Sequence, residues 1–63
     1  MKNNYILTII ICCYNSEKYI SLTIESMLKY IDDKHEVILI NDGSTDSTLK
    51  ILNEYKKYKN FKI

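Results

Sequence analysis

Two residues carry the strongest chemical signal in this sequence, Tyr14 and Asp42, each standing just after an apolar run. A tyrosine ring can stack on a nucleobase, a contact worth about 1–3 kcal/mol in nucleic-acid binders. An ionised carboxylate only accepts hydrogen bonds. Set against the edge of a base, Asp42 therefore selects rings that offer an N–H there, those of uracil, thymine or guanine. Adenine and cytosine present a bare acceptor at the corresponding nitrogen. Gly43, beside Asp42, lets the chain turn closely where a side chain would obstruct it. The same residues also have a plainer use. Asp-Gly-Ser-Thr ahead of a helix is an ordinary turn with an N-cap, and a tyrosine after a strand commonly packs.

For Tyr14 and Asp42 to meet, the runs before them must be neighbouring strands. Tyr5 to Cys13 is nearly continuous, apolar and rich in β-branched residues, the pattern of a parallel strand covered on both faces. Val37 to Ile40 is a second such run. Between them, Ile20, Ile24, Met27, Leu28 and Ile31 recur at spacings of three and four and predict a helix over 17–31. Ser16 is its expected N-cap, Glu17 favours its first turn, and Glu25 and Lys29 form an i,i+4 pair on its outer side. Asp32 to His35 reads as an exposed polar connection. After the turn Asn41 to Asp46, a second helix is expected over 46–58, with Thr48, Ile51, Leu52 and Tyr55 as its buried stripe. Phe61 to Ile63 opens a third strand.

The predicted order is β-α-β-α-β, an α/β parallel sheet with right-handed crossovers. Ligands of such sheets sit beyond the carboxyl ends of the strands. The segments there are Tyr14-Asn15-Ser16-Glu17 and Asn41 to Asp46, so Tyr14 and Asp42 are expected on one rim.

Composition narrows the function classes. The chain has 63 residues, 46% hydrophobic and 27% charged, which suits one small globular unit. Its net charge of +1 rests on lysine alone and gives no electrostatic case for nucleic acid. No stretch approaches the roughly 18–20 apolar residues of a membrane helix. Lys2 and the apolar run after it lack the cleavage site of a signal peptide. Adjacent Cys12 and Cys13 point to opposite faces of a strand, which disfavours a bridge between them. Two buried free thiols and a cytoplasmic location follow, with peripheral association at the inner membrane face as the further option. One glycine excludes a dinucleotide fingerprint or phosphate loop.

The segment Thr8 to Ile20, with Cys12-Cys13-Tyr14-Asn15-Ser16-Glu17 at its centre, resembles the opening strand and loop of family 2 glycosyltransferases. Glu36 to Asp46 resembles their second strand and its Asp-Gly-Ser-Thr-Asp loop, and Ser26-Met27-Leu28 matches a step in their first helix. The resemblance implies the N-terminal, nucleotide-binding part of a Rossmann-like nucleotide-diphospho-sugar transferase (GT-A) fold, spanning 1–63 as a partial domain. It places Tyr14, Asp42, Cys12, Asn15 and Gly43 around the nucleotide, with Tyr14 packing on uracil and Asp42 on its ring N–H. Thr8 to Cys13 would be the central strand beneath it. The complete enzyme would transfer a sugar with inversion from a UDP-sugar to a carbohydrate or lipid-linked acceptor in polysaccharide biosynthesis, helped by Mg²⁺ or Mn²⁺. One departure is that the family commonly has proline where Cys12 stands.

The family's Asp-any-Asp metal motif and its general base are not among these residues. Asp42 and Asp46, four apart across a turn, do not replace that motif. An acceptor hydroxyl without a base is a poor nucleophile, and a leaving diphosphate without a cation keeps its charge. The segment by itself is therefore expected to bind no metal and to be inactive. The alternatives are a non-catalytic nucleotide-binding module and a truncated piece without activity. A receiver-type signalling domain would need an acidic pair where Tyr14 and Asn15 stand.

Overall fold

The computed structural model describes residues 5–63. The reading of Lys2 falls outside them. The chain runs through β1 (Leu7–Cys13), α1 (Ile20–Leu28), β2 (His35–Asn41), α2 (Thr48–Asn53), a 3-10 turn (Glu54–Lys57) and β3 (Phe61–Lys62). The strands form one parallel sheet in the order β1-β2-β3. This is the β-α-β-α-β arrangement expected, and it matches the N-terminal Rossmann-like half of a GT-A fold. Within the described sheet β2 lies between β1 and β3.

The chain steps one way across the sheet, from β1 to β2 to β3. Two crossovers of the same hand then put both helices on one side. Burial follows the pleat. Cys13, Val37 and Leu39 cluster with Ile20 and Ile24 of α1, Leu52 of α2, Tyr55 and Phe61, and all are buried. Residues of the opposite parity look the other way: Ile10 is 60% exposed and Ile40 41%. The continuous apolar runs were expected to be covered on both faces. The described residues cover one. For the same reason only one thiol is buried: Cys13 is sealed and Cys12 is exposed. Burial, and then the neighbouring Cys12, push the Cys13 thiol up from its ordinary value.

Helix boundaries are shorter than the apolar stripe suggests. α1 begins at Ile20 because Ser16 to Tyr19 form a turn, in which the Ser16 carbonyl accepts the N–H groups of Tyr19 at 3.0 Å and Ile20 at 2.8 Å. The Ser16 hydroxyl is not its cap. It donates to the Tyr14 carbonyl at 3.1 Å. Glu25 does not pair with Lys29 but accepts the Tyr55 hydroxyl at 3.0 Å, joining α1 to the 3-10 turn. The second helix ends at Asn53 and tightens into the 3-10 turn, yet Thr48, Leu52 and Tyr55 are buried as the stripe requires. His35 is not in the connection. It opens β2, half-buried, and its Nδ1 accepts the Asp32 N–H at 3.1 Å.

Candidate functional site

Register sets the site. β1 and β2 pair from Leu7 with His35 through Cys13 with Asn41, so their carboxyl ends finish level. Tyr14 and Asp42 are the next residues on each strand. The Asp42 N–H donates to the Cys13 carbonyl at 2.8 Å, extending the ladder one step past the strands. Tyr14 is 62% exposed and Asp42 is exposed. The two groups thus stand on one rim, both open to a ligand.

The loops behind them are tied together. Three successive N–H groups of the first loop donate to side chains of the second loop and of the first residue of α2. Asn15 bonds Ser44 Oγ at 3.0 Å, Ser16 bonds Thr48 Oγ1 at 2.8 Å, and Glu17 bonds Asp46 Oδ2 at 3.3 Å. Two N–H groups of the second loop donate back, Thr45 to Asn15 Oδ1 and Ser47 to Glu17 Oε1, each at 2.8 Å. Asn15 adopts φ 46°, a left-handed conformation that asparagine tolerates better than most residues. The bend aims its carboxamide at the other loop.

Thr48 is fully buried, and its hydroxyl both accepts from Ser16 and donates to Asp46 Oδ1. Asp46 Oδ1 also accepts the Thr48 N–H, the first of α2, at 2.9 Å. Burial pushes the Asp46 carboxyl up. The hydrogen bonds from Thr48, Glu17 and its own N–H outweigh that and hold it below the ordinary aspartate value. Gly43 has φ 75°, and a Cβ there would meet nothing within 4 Å. Its requirement is the left-handed backbone, not a close approach of other protein atoms.

Of the residues singled out in the sequence, Tyr14, Asp42 and Gly43 share the open rim. Asn15 turns its side-chain oxygen onto Thr45, and Cys12 lies on the uncovered sheet face. Sequence reasoning missed the part played by Glu17, Asp46 and Thr48, reading the two acids as helix-start residues and Thr48 only as part of a buried stripe. The signal was present: two short loops, after adjacent strands, each carrying small polar and acidic side chains. Among the described residues, no group of three or more His, Cys, Asp or Glu side chains is placed to hold a metal ion. Nor, among them, is any helix long and apolar enough to cross a membrane.

Comparison with known proteins decides the family. The model of glycosyl transferase family 2 matches residues 8–63. The chain belongs to that family. Over 57 residues it is 44% identical to a protein of Haemophilus influenzae named an uncharacterized glycosyltransferase, covering 90% of this chain and 18% of that one. It is 38% identical over 57 residues to a poly-beta-1,6-N-acetyl-D-glucosamine synthase of Staphylococcus epidermidis, covering 90% and 14%. A poly(ribitol-phosphate) beta-glucosyltransferase of Bacillus spizizenii is 46% identical over 53 residues, covering 81% and 8%. The chain spans less than a fifth of the length of each of these relatives. No solved structure gives a significant match. The family is one of glycosyltransferases, enzymes that take a sugar from a nucleotide-sugar to an acceptor, and both rim loops fall within the matched residues.

Proposed function

We propose that this chain supplies the base-recognition part of an inverting sugar transfer from a UDP-type donor. The observation that carries the reading is the exposure of Tyr14 and Asp42 on one rim, at the level ends of two paired strands. The ring stacks on uracil and the carboxylate accepts its N–H. The neighbouring N–H groups of Asn15, Ser16 and Glu17 are already engaged by the second loop. They are not free to cradle phosphate, so the rim reads the base rather than the diphosphate.

Mg²⁺ or Mn²⁺, in this reading, meets the diphosphate on residues outside these 63, as does the general base, and the segment alone binds nucleotide without turning it over. The names of the relatives point to polymer acceptors, and a carbohydrate or lipid-linked acceptor in polysaccharide biosynthesis is proposed accordingly. The free thiols suit a cytoplasmic setting.

Titration calorimetry with UDP and CDP tests the base reading, because the two differ only in the base. UDP should bind more tightly than CDP by about tenfold, the value of one good hydrogen bond to a charged group. Mn²⁺ should not change that preference. Asp42→Asn, which can present either an oxygen or an N–H, should erase it, and Tyr14→Ala should weaken both nucleotides. Equal affinity for UDP and CDP in the unaltered chain would refute base reading by Asp42. Enzyme-like release of UDP from a UDP-sugar by the chain alone would refute the division of labour.

A further inference from the structure

We infer that Glu17 and Asp46 are positioning residues that make the two rim loops one unit and thereby set the spacing of Tyr14 and Asp42; the inference rests on the base reading above. The bonds are reciprocal. Asp46 accepts the N–H of Glu17, and Glu17 accepts the N–H of Ser47, the residue next to Asp46. Each carboxylate thus holds the backbone of the opposite loop at the point where its partner acid is anchored. Neither acid needs to touch a ligand to act.

Two further links flank this exchange. The Thr45 N–H meets Asn15 Oδ1, and the Ser16 N–H meets Thr48 Oγ1, whose hydroxyl returns to Asp46. The five cross-loop N–H groups belong to Asn15, Ser16, Glu17, Thr45 and Ser47. Tyr14 precedes the first of them, and Asp42 and Gly43 lead into the second loop. A hydrogen bond made by a charged group is about twice as strong as a neutral one. The short, charged bond from the Ser47 N–H to Glu17, at 2.8 Å, is therefore the strongest tie in the network, and the 3.3 Å bond from the Glu17 N–H to Asp46 completes the exchange. Loops left to themselves would sample many separations of ring and carboxylate, and each nucleotide bound would have to order them.

Glu17 is the residue to vary, since it is exposed and lies outside the core, whereas Asp46 also holds the first N–H of α2. Glu17→Gln keeps an acceptor oxygen on Ser47; Glu17→Ala removes it. UDP affinity is measured by calorimetry at a temperature where circular dichroism shows each variant folded. Glu17→Ala should lose about tenfold and Glu17→Gln should recover most of it. Amide hydrogen exchange supplies an arm that needs no nucleotide. Glu17→Ala should speed exchange at least fivefold at Thr45 and Asn15, whose N–H groups bond to other residues, as well as at Ser47.

A folded Glu17→Ala with unchanged UDP affinity, or with acceleration confined to Ser47, overturns the inference. If the unaltered chain fails to bind UDP while Thr45 and Asn15 still respond, the base reading falls and the coupling of the loops stands. If UDP binds with base preference but Glu17→Ala changes neither measurement, the base reading stands and the coupling falls.

Discussion

The two ends of the sheet are held by opposite means. At the amino end, packing dominates. Tyr55, Tyr58 and Phe61 form an aromatic trio with ring centroids 5.2–6.3 Å apart. The buried Asn60 side chain donates from Nδ2 to the carbonyls of Asp32 at 3.1 Å and His35 at 2.8 Å. At the carboxyl end, mostly exposed polar and acidic side chains hold exposed backbone, with Thr48 the buried exception. An end fixed by packing is rigid and indifferent to solvent. One fixed by hydrogen bonds at the surface keeps its shape only while those groups keep their charge, and it leaves its outer atoms open to a ligand.

The largest break in that contrast should come from Phe61→Ala, which removes a buried ring at the amino end. A loss of about 3–5 kcal/mol is expected, enough to threaten folding in a unit of this size, and urea denaturation measures it. Asn60→Ala should cost less, about 1–3 kcal/mol, by leaving two carbonyls without their donor. At a temperature where Asn60→Ala is still folded, UDP affinity should be unchanged, because the damage lies at the far end. A matching loss of affinity would mean that the two ends are not separable.

The smallest effect sharpens the contrast by acid. Asp46 is held below its ordinary value in the folded chain, so its contribution is fully present above the unfolded value. It is lost as pH falls through the lowered folded value. Stability should therefore drop on acidification in that range, and amide exchange at the carboxyl-end loops should quicken before it does at β3. Asp46→Asn should be less stable near neutrality and show a flatter acid profile. An acid profile identical to that of the unaltered chain would remove Asp46 from the account.

Much of this was legible in the residues. The runs ending at Cys13 and Ile40 announced parallel strands, and the stripe from Ile20 to Ile31 announced the helix between them. With those in place, Tyr14 and Asp42 had to share a rim. The exposure of Ile10, Ile40 and Cys12 was not legible. An apolar run reports that a strand can be buried on both sides, whereas coverage depends on the hand and direction of the crossovers. The lattice across the rim was hidden for another reason. Glu17 and Asp46 are good helix-start residues by local rules, and their longer-range role appears only when the strand register brings Ser47 and Glu17 together. Asn15 is a similar case, since its left-handed backbone has meaning only once Thr45 is opposite.

The adjacent cysteines give the fold a built-in gauge. Identical in chemistry and one peptide apart, they look out from opposite sides of the first strand, Cys12 into the open and Cys13 into the core with its thiol pushed up. An alkylating reagent therefore meets one sulfur and not its neighbour, and the ratio of the two reaction rates reports whether the pleat is intact. Anything that comes to lie over the bare side of the sheet would shield the first thiol while leaving the second unchanged.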